Sequence, residues 1–259
     1  MNRLLCSGIA AGSLKQHPAQ APIHAETIRG ATSPLSYFLP SRYEPNYQYP
    51  LIVWLHDDGS NQRQVAEVMP HISTQNYVAV GVRAPRACDA AGHQYAWLQS
   101  ALGGALAEEI VFAAIESATQ RYSVHPQRIY LAGYRQGGTM AVRTALRNPA
   151  RFAGVVNIDG QLPRGGAPLL YLQAARQLEV LSAISLESTR YSLDQVCEDL
   201  RLWHAANLRM DMRQYTVEDC MVVEVMRDIN AWVMARVTGQ RGLGCLRDHE
   251  TVPVEFSAN

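Results

Sequence analysis

Apolar runs alternate along this chain with amphipathic segments of helical period. Continuous or alternating apolar runs predict strands, and these lie at 35–39, 51–55, 77–82, 128–132, 154–158, 168–173 and 211–217. Apolar positions three and four residues apart predict helices, and these lie at 62–69, 102–122, 136–147 and 221–237, with a further helix opened by a capping box at Ser192. Strands that alternate with helices indicate crossover connections, so the predicted class is α/β with a mainly parallel sheet.

The same pattern sets the expected limits of the domain. Residues 1–30 lack sustained periodicity and are predicted to be an N-terminal tail or lead-in. Residues 31–240 are predicted to form a single α/β domain, and 241–259 a C-terminal tail. The length of 259 residues suits one large domain of this class.

Composition narrows the expected partners and compartment. The 23 basic and 23 acidic side chains balance, which argues against nucleic acid or an anionic membrane as partner. No apolar stretch reaches the roughly 18 residues that span a bilayer. The apolar run at the N-terminus is short, so we expect a cytoplasmic protein, with export as the weaker alternative. Five cysteines without a CxxC pair indicate reduced thiols, and we expect no metal and no cofactor.

A glycine-flanked turn stands where a strand is predicted to meet a helix. The strand ends at Ala132, the turn is Gly133-Tyr134-Arg135-Gln136-Gly137, and the helix follows. A G-x-S-x-G turn in this context raises its central residue above the sheet in a strained conformation. Spacing and context match that motif, but Arg135 stands in the serine's place.

This turn resembles the elbow of the phospholipase/carboxylesterase branch of the α/β-hydrolase superfamily, which is similar to dienelactone hydrolases and usually has G-F-S-Q-G-G. The resemblance includes P-L-I-V-W-L-H at 50–56 and F-A-G-V-V at 152–156, and it extends over about 35–238. It implies a doubly wound, mainly parallel sheet flanked by helices. It also implies a catalytic triad in the order Ser, Asp, His.

The other two triad positions can be matched through the same resemblance. The family pattern L-L-x-x-H-G-x-x-D falls on 169–177 and places Gln177 at the acid, while counting back from Trp232 places Asp219 at the histidine. Arg135, Gln177 and Asp219 therefore predict a degenerate triad with no catalytic residue. A protonated guanidinium has no lone pair with which to attack a carbonyl.

The loop after the predicted strand 51–55 supplies an oxyanion-hole N–H in the family that the chain resembles. Here that loop contains His56, Asp57, Asp58 and Gly59, and with Gln136 these residues are the pocket candidates. We expect His56 to be structural and hydrogen-bonded to backbone. The two aspartates are expected to form a solvated turn, with a metal or acid–base role as the alternative, and their charge would repel a developing oxyanion.

Two interpretations of Arg135 remain open and are compatible. It binds an anion beside the helix N-terminus, or it pairs with Asp219, with Gln177 hydrogen-bonded to the same carboxylate. The sequence thus favours a catalytically silent pseudo-esterase kept for binding a small anionic ligand or a protein partner. The alternatives are a carboxylesterase- or phospholipase-type hydrolase of esters or lactones that uses non-standard residues, and a structural subunit of an assembly. If the chain is an enzyme, we expect a carboxylic-ester hydrolase.

Overall fold

The computed structural model describes residues 33–239, which are built on one seven-stranded sheet. The strands are β1 (Leu35–Phe38), β2 (Tyr49–Leu55), β3 (Val78–Val82), β4 (Arg86–Ala87), β5 (Tyr95–Ala96), β6 (Val124–Tyr134), β7 (Gly154–Ile158), β8 (Glu179–Ser185) and β9 (Arg209–Tyr215). Strands β4 and β5 form a separate small ribbon, and the sheet order is β1-β3-β2-β6-β7-β8-β9. The predicted lead-in at 1–30 and tail at 241–259 lie outside the described residues.

All neighbouring strands of the sheet are parallel except β1, which pairs antiparallel with β3. Every residue of β2, β3 and β7 is buried, as expected for central strands covered on both faces. The expected doubly wound, mainly parallel sheet is therefore confirmed.

Within residues 33–239, six helices cover the two faces of the sheet. They are α1 (Gln64–Ile72), α2 (Ala101–Arg121), α3 (Gln136–Arg147), α4 (Leu172–Ala175), α5 (Leu193–Ala205) and α6 (Val223–Val237), with a short 3-10 turn at Pro149–Arg151. Alternate residues of β2 enter two separate cores. Leu51 and Val53 pack with α2 and α3, whereas Ile52 and Trp54 pack with α1 and α6.

The predicted strand at 168–173 is wrong. Those residues lie in a surface segment that ends in the short helix α4, and the next strand, β8, begins only at Glu179. The apolar run misled the prediction because Leu170 and Tyr171 are 65% and 51% exposed. A turn with positive φ at Gly165, Gly166 and Ala167 precedes the run.

Most of the other boundaries differ from the predicted ones by one to four residues. Helix α3 and strand β7 have the predicted bounds, and the capping box at Ser192 is present. Strand β6 begins four residues earlier than predicted and continues into the glycine-flanked turn. No helix within residues 33–239 has the length and apolar character needed to cross a membrane.

The turn between β6 and α3 requires glycine because three backbone segments meet there. A Cβ on Gly133 would lie 2.4 Å from the carbonyl carbon and oxygen of Gly137. A Cβ on Gly137 would lie 2.2 Å from the carbonyl oxygen of Leu55 and 2.4 Å from that of His56. The first turn of α3 thus rests directly on the carboxyl end of β2.

This close approach predicts unequal effects for two glycine-to-alanine changes. Gly137→Ala should lower the free energy of unfolding by about 1–3 kcal/mol or more, because the added methyl meets immovable backbone. Gly165→Ala is the matched control, since Gly165 has φ +69° but no atom lies within 4 Å of the place its added methyl would take, so only backbone strain of about 1 kcal/mol is expected. Denaturant unfolding of both variants measures the difference, and equal losses would contradict the close approach.

Candidate functional site

Arg135 stands at the apex of the turn between β6 and α3. Its backbone has φ 48° and ψ −112°, a sparsely populated conformation for a residue with a side chain. The Arg135 N–H donates to the carbonyl oxygen of Ile158 at 2.7 Å, and the Arg135 carbonyl accepts from Thr139 N–H at 2.9 Å. The predicted position and strain of Arg135 are confirmed.

The guanidinium of Arg135 faces three carboxylates. Its Nη1 lies 3.5 Å from Oδ2 of Asp57, its Nε 3.9 Å from Oδ2 of Asp159, and its Nη2 3.5 Å from Oδ2 of Asp219. The guanidinium carbon also lies 4.6 Å from the ring centre of Tyr134, within cation–π range. The predicted pair with Asp219 is therefore confirmed, but it is one of three.

Asp219 lies on the open side of this cluster, with its side chain 50% exposed. Its Oδ1 accepts the hydroxyl of Tyr134 at 2.7 Å and the N–H of Met221 at 2.8 Å. Burial, and then the neighbouring Asp219, raise the pKa of Tyr134, so this phenol stays protonated and remains a donor. The carboxylate at the expected histidine position is held by neutral donors and a guanidinium.

Gln177 does not belong to this site, so its predicted hydrogen bond to Asp219 is wrong. The match to the family's acid relied on a strand at 168–173, which the structure does not have. Gln177 instead precedes β8, at the amino end of that strand. Because β8 is parallel to its neighbours β7 and β9, Gln177 lies at the edge of the sheet opposite to Arg135.

Asp159 was missed by the sequence analysis, although it directly follows β7. Its side chain is fully buried, with φ +54° at its backbone. The carboxylate accepts the N–H of Ser185 at 3.3 Å and the hydroxyl of Ser188 at 3.2 Å. Burial raises the pKa of Asp159, while these donors and Arg135 oppose that rise. An aspartate placed directly after a strand beside the elbow strand was the available indication, since the carboxyl ends of parallel strands share one edge.

The carboxylate of Asp57 occupies the space in front of the first N–H of α3. Its Oδ1 accepts the N–H of Gln136 at 3.3 Å and that of Asp58 at 2.8 Å. Its Oδ2 faces Nη1 of Arg135 at 3.5 Å and Nη1 of Arg190 at 3.9 Å. In serine hydrolases with this elbow, the N–H after the nucleophile binds the substrate oxyanion. Here an internal anion holds that position.

The expectation of a solvated turn is therefore wrong for Asp57, which is 7% exposed. Asp58 is more open, and its Oδ1 accepts the N–H of Trp97 at 2.9 Å. Burial raises the pKa of Asp58. Gly59 continues the loop with φ +82° and donates its N–H to the carbonyl oxygen of Tyr95. This loop is ordered by hydrogen bonds across to the β4–β5 ribbon.

His56 has the structural role expected for it. Its Nε2 accepts the N–H of Ala84 at 3.0 Å, so Nδ1 carries the ring proton and faces the carbonyl oxygen of Asp57 at 2.6 Å. Burial lowers the pKa of His56 to about 4. The ring is thus neutral near pH 7 with both nitrogens engaged, and it offers no free base to the site.

Two further groups bear on what the site can do chemically. The side-chain amide of Gln99 donates to Oε1 of Gln136 at 2.9 Å, which fixes the first side chain of α3. Cys220 is fully buried, and burial raises the pKa of its thiol, so it lacks the thiolate character of a nucleophile. Among the described residues, two hydroxyl groups donate to carboxylates of this cluster. One is the Tyr134 phenol, and the other is the hydroxyl of Ser188, which donates to Asp159.

Comparison with known proteins finds a similarity to esterases in the fold and in part of the sequence. No family model matches the chain. A protein of Nocardia uniformis subsp. tsuyamanensis named "Putative esterase NocK" is 31% identical over 128 residues, which is 44% of this chain and 33% of that protein. The chain thus spans about a third of the length of this curated relative.

Solved structures with the same fold include two carboxylesterases and a further protein, SOBER1. The carboxylesterase of Mesorhizobium loti aligns with a TM-score of 0.66 at 11% identity, over 81% of this chain and 98% of that one. The Bacillus cereus carboxylesterase gives 0.61 at 16% identity, over 80% and 95%. SOBER1 of Arabidopsis thaliana gives 0.60 at 15% identity, over 73% and 99%. The chain therefore has the α/β-hydrolase fold, as its resemblance to the carboxylesterase branch implied.

Removing the guanidinium should destabilise the protein in a pH-dependent way. Arg135→Ser leaves three carboxylates facing one another, so we expect a loss of about 1–3 kcal/mol near neutral pH. The variant lacks the cation that opposes the rise in the pKa of Asp159. A carboxyl whose folded pKa exceeds its unfolded value, about 3.9, destabilises the fold at high pH, and the loss diminishes as pH falls through the folded pKa.

The measurement is the unfolding free energy of wild type and Arg135→Ser between pH 8 and about pH 4. The gap between them should narrow steadily on acidification. Arg213→Ser is the matched control, because Arg213 also pairs with two carboxylates, but these are 41% and 45% exposed. A gap for Arg135→Ser that is constant with pH, or matched by the control, would contradict the proposed repulsion.

Asp219→Ala should cost about 1–2 kcal/mol, mostly through the lost hydrogen bond of the Tyr134 hydroxyl. Arg135 keeps Asp57 and Asp159 as partners, and Asp219 is half exposed, so a larger loss is not expected. In the Arg135→Ser background the same change should cost less, because it removes one of the repelling carboxylates. Thermal melts of the four proteins in this cycle test the coupling, and additive effects would argue against it.

Proposed function

We propose that this chain is a catalytically silent α/β-hydrolase-fold protein whose elbow serves binding and not ester hydrolysis. The observation that carries this proposal is the carboxylate of Asp57 on the N–H of Gln136, beside an arginine at the nucleophile's position. The fold of an esterase is present. The carboxylate of Asp57 fills the oxyanion position at the Gln136 N–H. The cation of Arg135 replaces the nucleophile.

Acyl transfer needs a nucleophile, a base and hydrogen-bond donors for the oxyanion. At each of these three positions, the residue or group present differs from the one that acyl transfer needs. The guanidinium of Arg135 cannot attack. Asp219 stands where a histidine is expected, and its carboxylate is engaged by Tyr134 and Arg135. A tetrahedral oxyanion at Gln136 N–H would meet the Asp57 carboxylate at the distance of a hydrogen bond, where like charges repel strongly.

The charges of the cluster also limit what can bind there. Arg135 and Arg190 contribute two positive charges, against three carboxylates from Asp57, Asp159 and Asp219. An additional anion would enlarge this excess of negative charge. The small anionic ligand proposed from the sequence is therefore opposed by the charge of this cluster while the three carboxylates are ionised and in place.

The second candidate function is a carboxylic-ester hydrolase that uses other residues. The similarity to carboxylesterases and to a protein named as an esterase favours it. The pair that could support ester hydrolysis consists of Ser188 and Asp159, since the Ser188 hydroxyl donates to the buried carboxylate of Asp159. A carboxylate with a pKa raised by burial could accept the serine proton. This second function therefore requires the Ser188 hydroxyl as the nucleophile.

Hydrolysis assays separate the two functions. The purified protein should hydrolyse p-nitrophenyl acetate and butyrate no faster than an unrelated protein, and fluorophosphonate probes, which need an activated serine, should not label it. A carboxylesterase of the same fold serves as positive control. Arg135→Ser should remain inactive, because a serine there would still lack a base and an open oxyanion hole.

The opposite result would also be informative. Stoichiometric labelling of a serine by the probe would contradict the silent interpretation. If Ser188→Ala then abolished both labelling and turnover while leaving the thermal melt unchanged, the hydrolase alternative would replace it. Activity retained in Ser188→Ala would instead exclude the Ser188–Asp159 pair as its source.

A further inference from the structure

The outer side of β9 carries backbone groups for which the described part of the chain provides no neighbouring strand. This strand is the last of the sheet and pairs on its inner side with β8, in parallel. The N–H of Leu186 donates to the carbonyl oxygen of Tyr215 at 2.9 Å, so the backbone groups of Tyr215 point towards β8. Because this direction alternates along a strand, the N–H and C=O of Met210, Met212 and Gln214 point outwards.

This edge lacks most of the features that usually prevent an edge strand from pairing. The edge strand at the other end of the sheet, β1, has four residues, whereas β9 has seven and contains neither proline nor glycine. No bulge interrupts its register with β8. A long and regular edge of this kind is a template for another strand. Charged side chains are its remaining safeguard, so their order decides which strand β9 accepts.

The side chains of β9 differ between the two faces of the sheet. Asp211 and Arg213 lie on the face covered by α6, where Arg213 Nη1 is 3.3 Å from Asp228 Oδ2 and Arg213 Nη2 is 3.7 Å from Asp211 Oδ2. Their side chains are 45% and 29% exposed. Met212 lies on the face of α5 and packs at the border of a small core cluster that includes Ile184. The edge is therefore charged on one face and apolar on the other.

We propose that β9 pairs antiparallel with β9 of a second copy of this chain, about a two-fold axis at Met212, so that the two sheets become one continuous sheet. In this register the outward backbone groups of Met212 meet those of Met212 in the copy. The outward groups of Met210 meet those of Gln214. Each of these N–H and C=O groups thereby gains a hydrogen-bond partner. This inference does not depend on whether the elbow is catalytically silent.

Charge complementarity favours the axis at Met212 over the axes next to it. There, Asp211 of each copy lies directly opposite Arg213 of the other, where facing side chains of antiparallel strands approach most closely. An axis at Asp211 would set that carboxylate against itself and Arg209 against Arg213. An axis at Arg213 would set two guanidiniums against each other. Like charges directly opposite each other destabilise a strand pair, so both of these registers are disfavoured.

Strand length disfavours the other register that brings opposite charges together. An axis at Met210 would set Asp211 opposite Arg209, but Arg209 is the first residue of β9, so most of the strand would stay unpaired. Met212 is the midpoint of β9 (Arg209–Tyr215), so an axis there lets the two copies overlap along the whole strand. An axis between two residues would set outward backbone groups against inward ones.

The apolar face of β9 is also completed by this pairing. Two Met212 side chains meet on the face of α5, so the small clusters around Ile184 in the two copies join across the axis. Flexible methionine side chains adapt readily to such a contact. Because antiparallel pairing reverses one sheet relative to the other, the carboxyl ends of the parallel strands lie at opposite edges of the combined sheet. The two Arg135 clusters therefore stay separate.

Sedimentation velocity of the full chain over a range of concentrations tests whether the pair forms. One strand from each copy makes a small interface, so we expect a dimer that dissociates on dilution. A wild-type protein that stays monomeric up to about 1 mM, the Kd of a very weak complex, would overturn the proposal and leave this edge to a different partner.

Two charge variants test the register. Asp211→Arg sets an arginine opposite Arg213 of the copy, and Arg213→Asp sets an aspartate opposite Asp211, so each variant alone should dimerise at least roughly tenfold more weakly than wild type. An equimolar mixture of the two should recover the wild-type affinity, because every facing pair again has opposite charges. Arg209→Gln is the matched control, since Arg209 faces Tyr215 in this register, and it should dimerise like wild type.

Thermal melts confirm that each of these variants is folded. Dimerisation of Asp211→Arg and Arg213→Asp that equals that of wild type, or a mixture of the two folded variants that shows no recovery, would overturn the proposal. A strong loss of dimerisation in Arg209→Gln would favour the axis at Met210 and would overturn the proposed register.

A cross-link supplies a test that does not depend on the charged residues. Facing residues of a hydrogen-bonded antiparallel pair have Cα atoms about 5.5 Å apart, within reach of a disulfide. With oxidised glutathione as oxidant, Met212→Cys should form a disulfide-linked dimer in a background that keeps only the buried Cys220. Met210→Cys is the matched control, because the two sulfurs would lie about 13 Å apart along the strands. Cross-linking through position 210, or through neither position, would overturn the proposal.

Discussion

The contact of α3 with the end of β2 is the constraint on which the site depends. Gly137 lies so close to the carbonyl oxygens of Leu55 and His56 that no side chain fits between them. The chain must therefore leave β6 through a residue with positive φ, and that residue stands between the loops that follow β2 and β7. The Arg135 guanidinium at this position meets Asp57 on one side and Asp159 on the other.

Arg135 and Asp57 stabilise each other electrostatically. A guanidinium that is only 22% exposed would be costly without carboxylates nearby. Three carboxylates at the same edge would repel one another without the guanidinium. The hydrogen-bonded neutral dyad expected of an active elbow is thus replaced by a charged cluster of Arg135 and three carboxylates. The Tyr134 hydroxyl extends this cluster to Asp219.

Local pattern was sufficient for the fold and for part of the site. Helix α3, strand β7 and the elbow followed from residue spacing, and the contact between Arg135 and Asp219 followed from the chain order of the family. Gln177 failed because the exposed apolar run at 169–172 imitates a buried strand. The burial of Asp57 and the role of Asp159 depend on which strands become neighbours across the sheet, and that is a long-range property that no local pattern contains.

Binding and catalysis at this elbow differ in the kind of oxygen that the donors are arranged to meet. An oxyanion hole accelerates acyl transfer because its donors are unoccupied in the ground state and bind a charge that exists only in the transition state. When a permanent carboxylate already sits on Gln136 N–H and Asp58 N–H, those donors are engaged before any substrate arrives. Arg135 and Arg190 strengthen this ground-state interaction further. The same backbone geometry that selects a transient anion in an esterase therefore favours a stable anion in this protein.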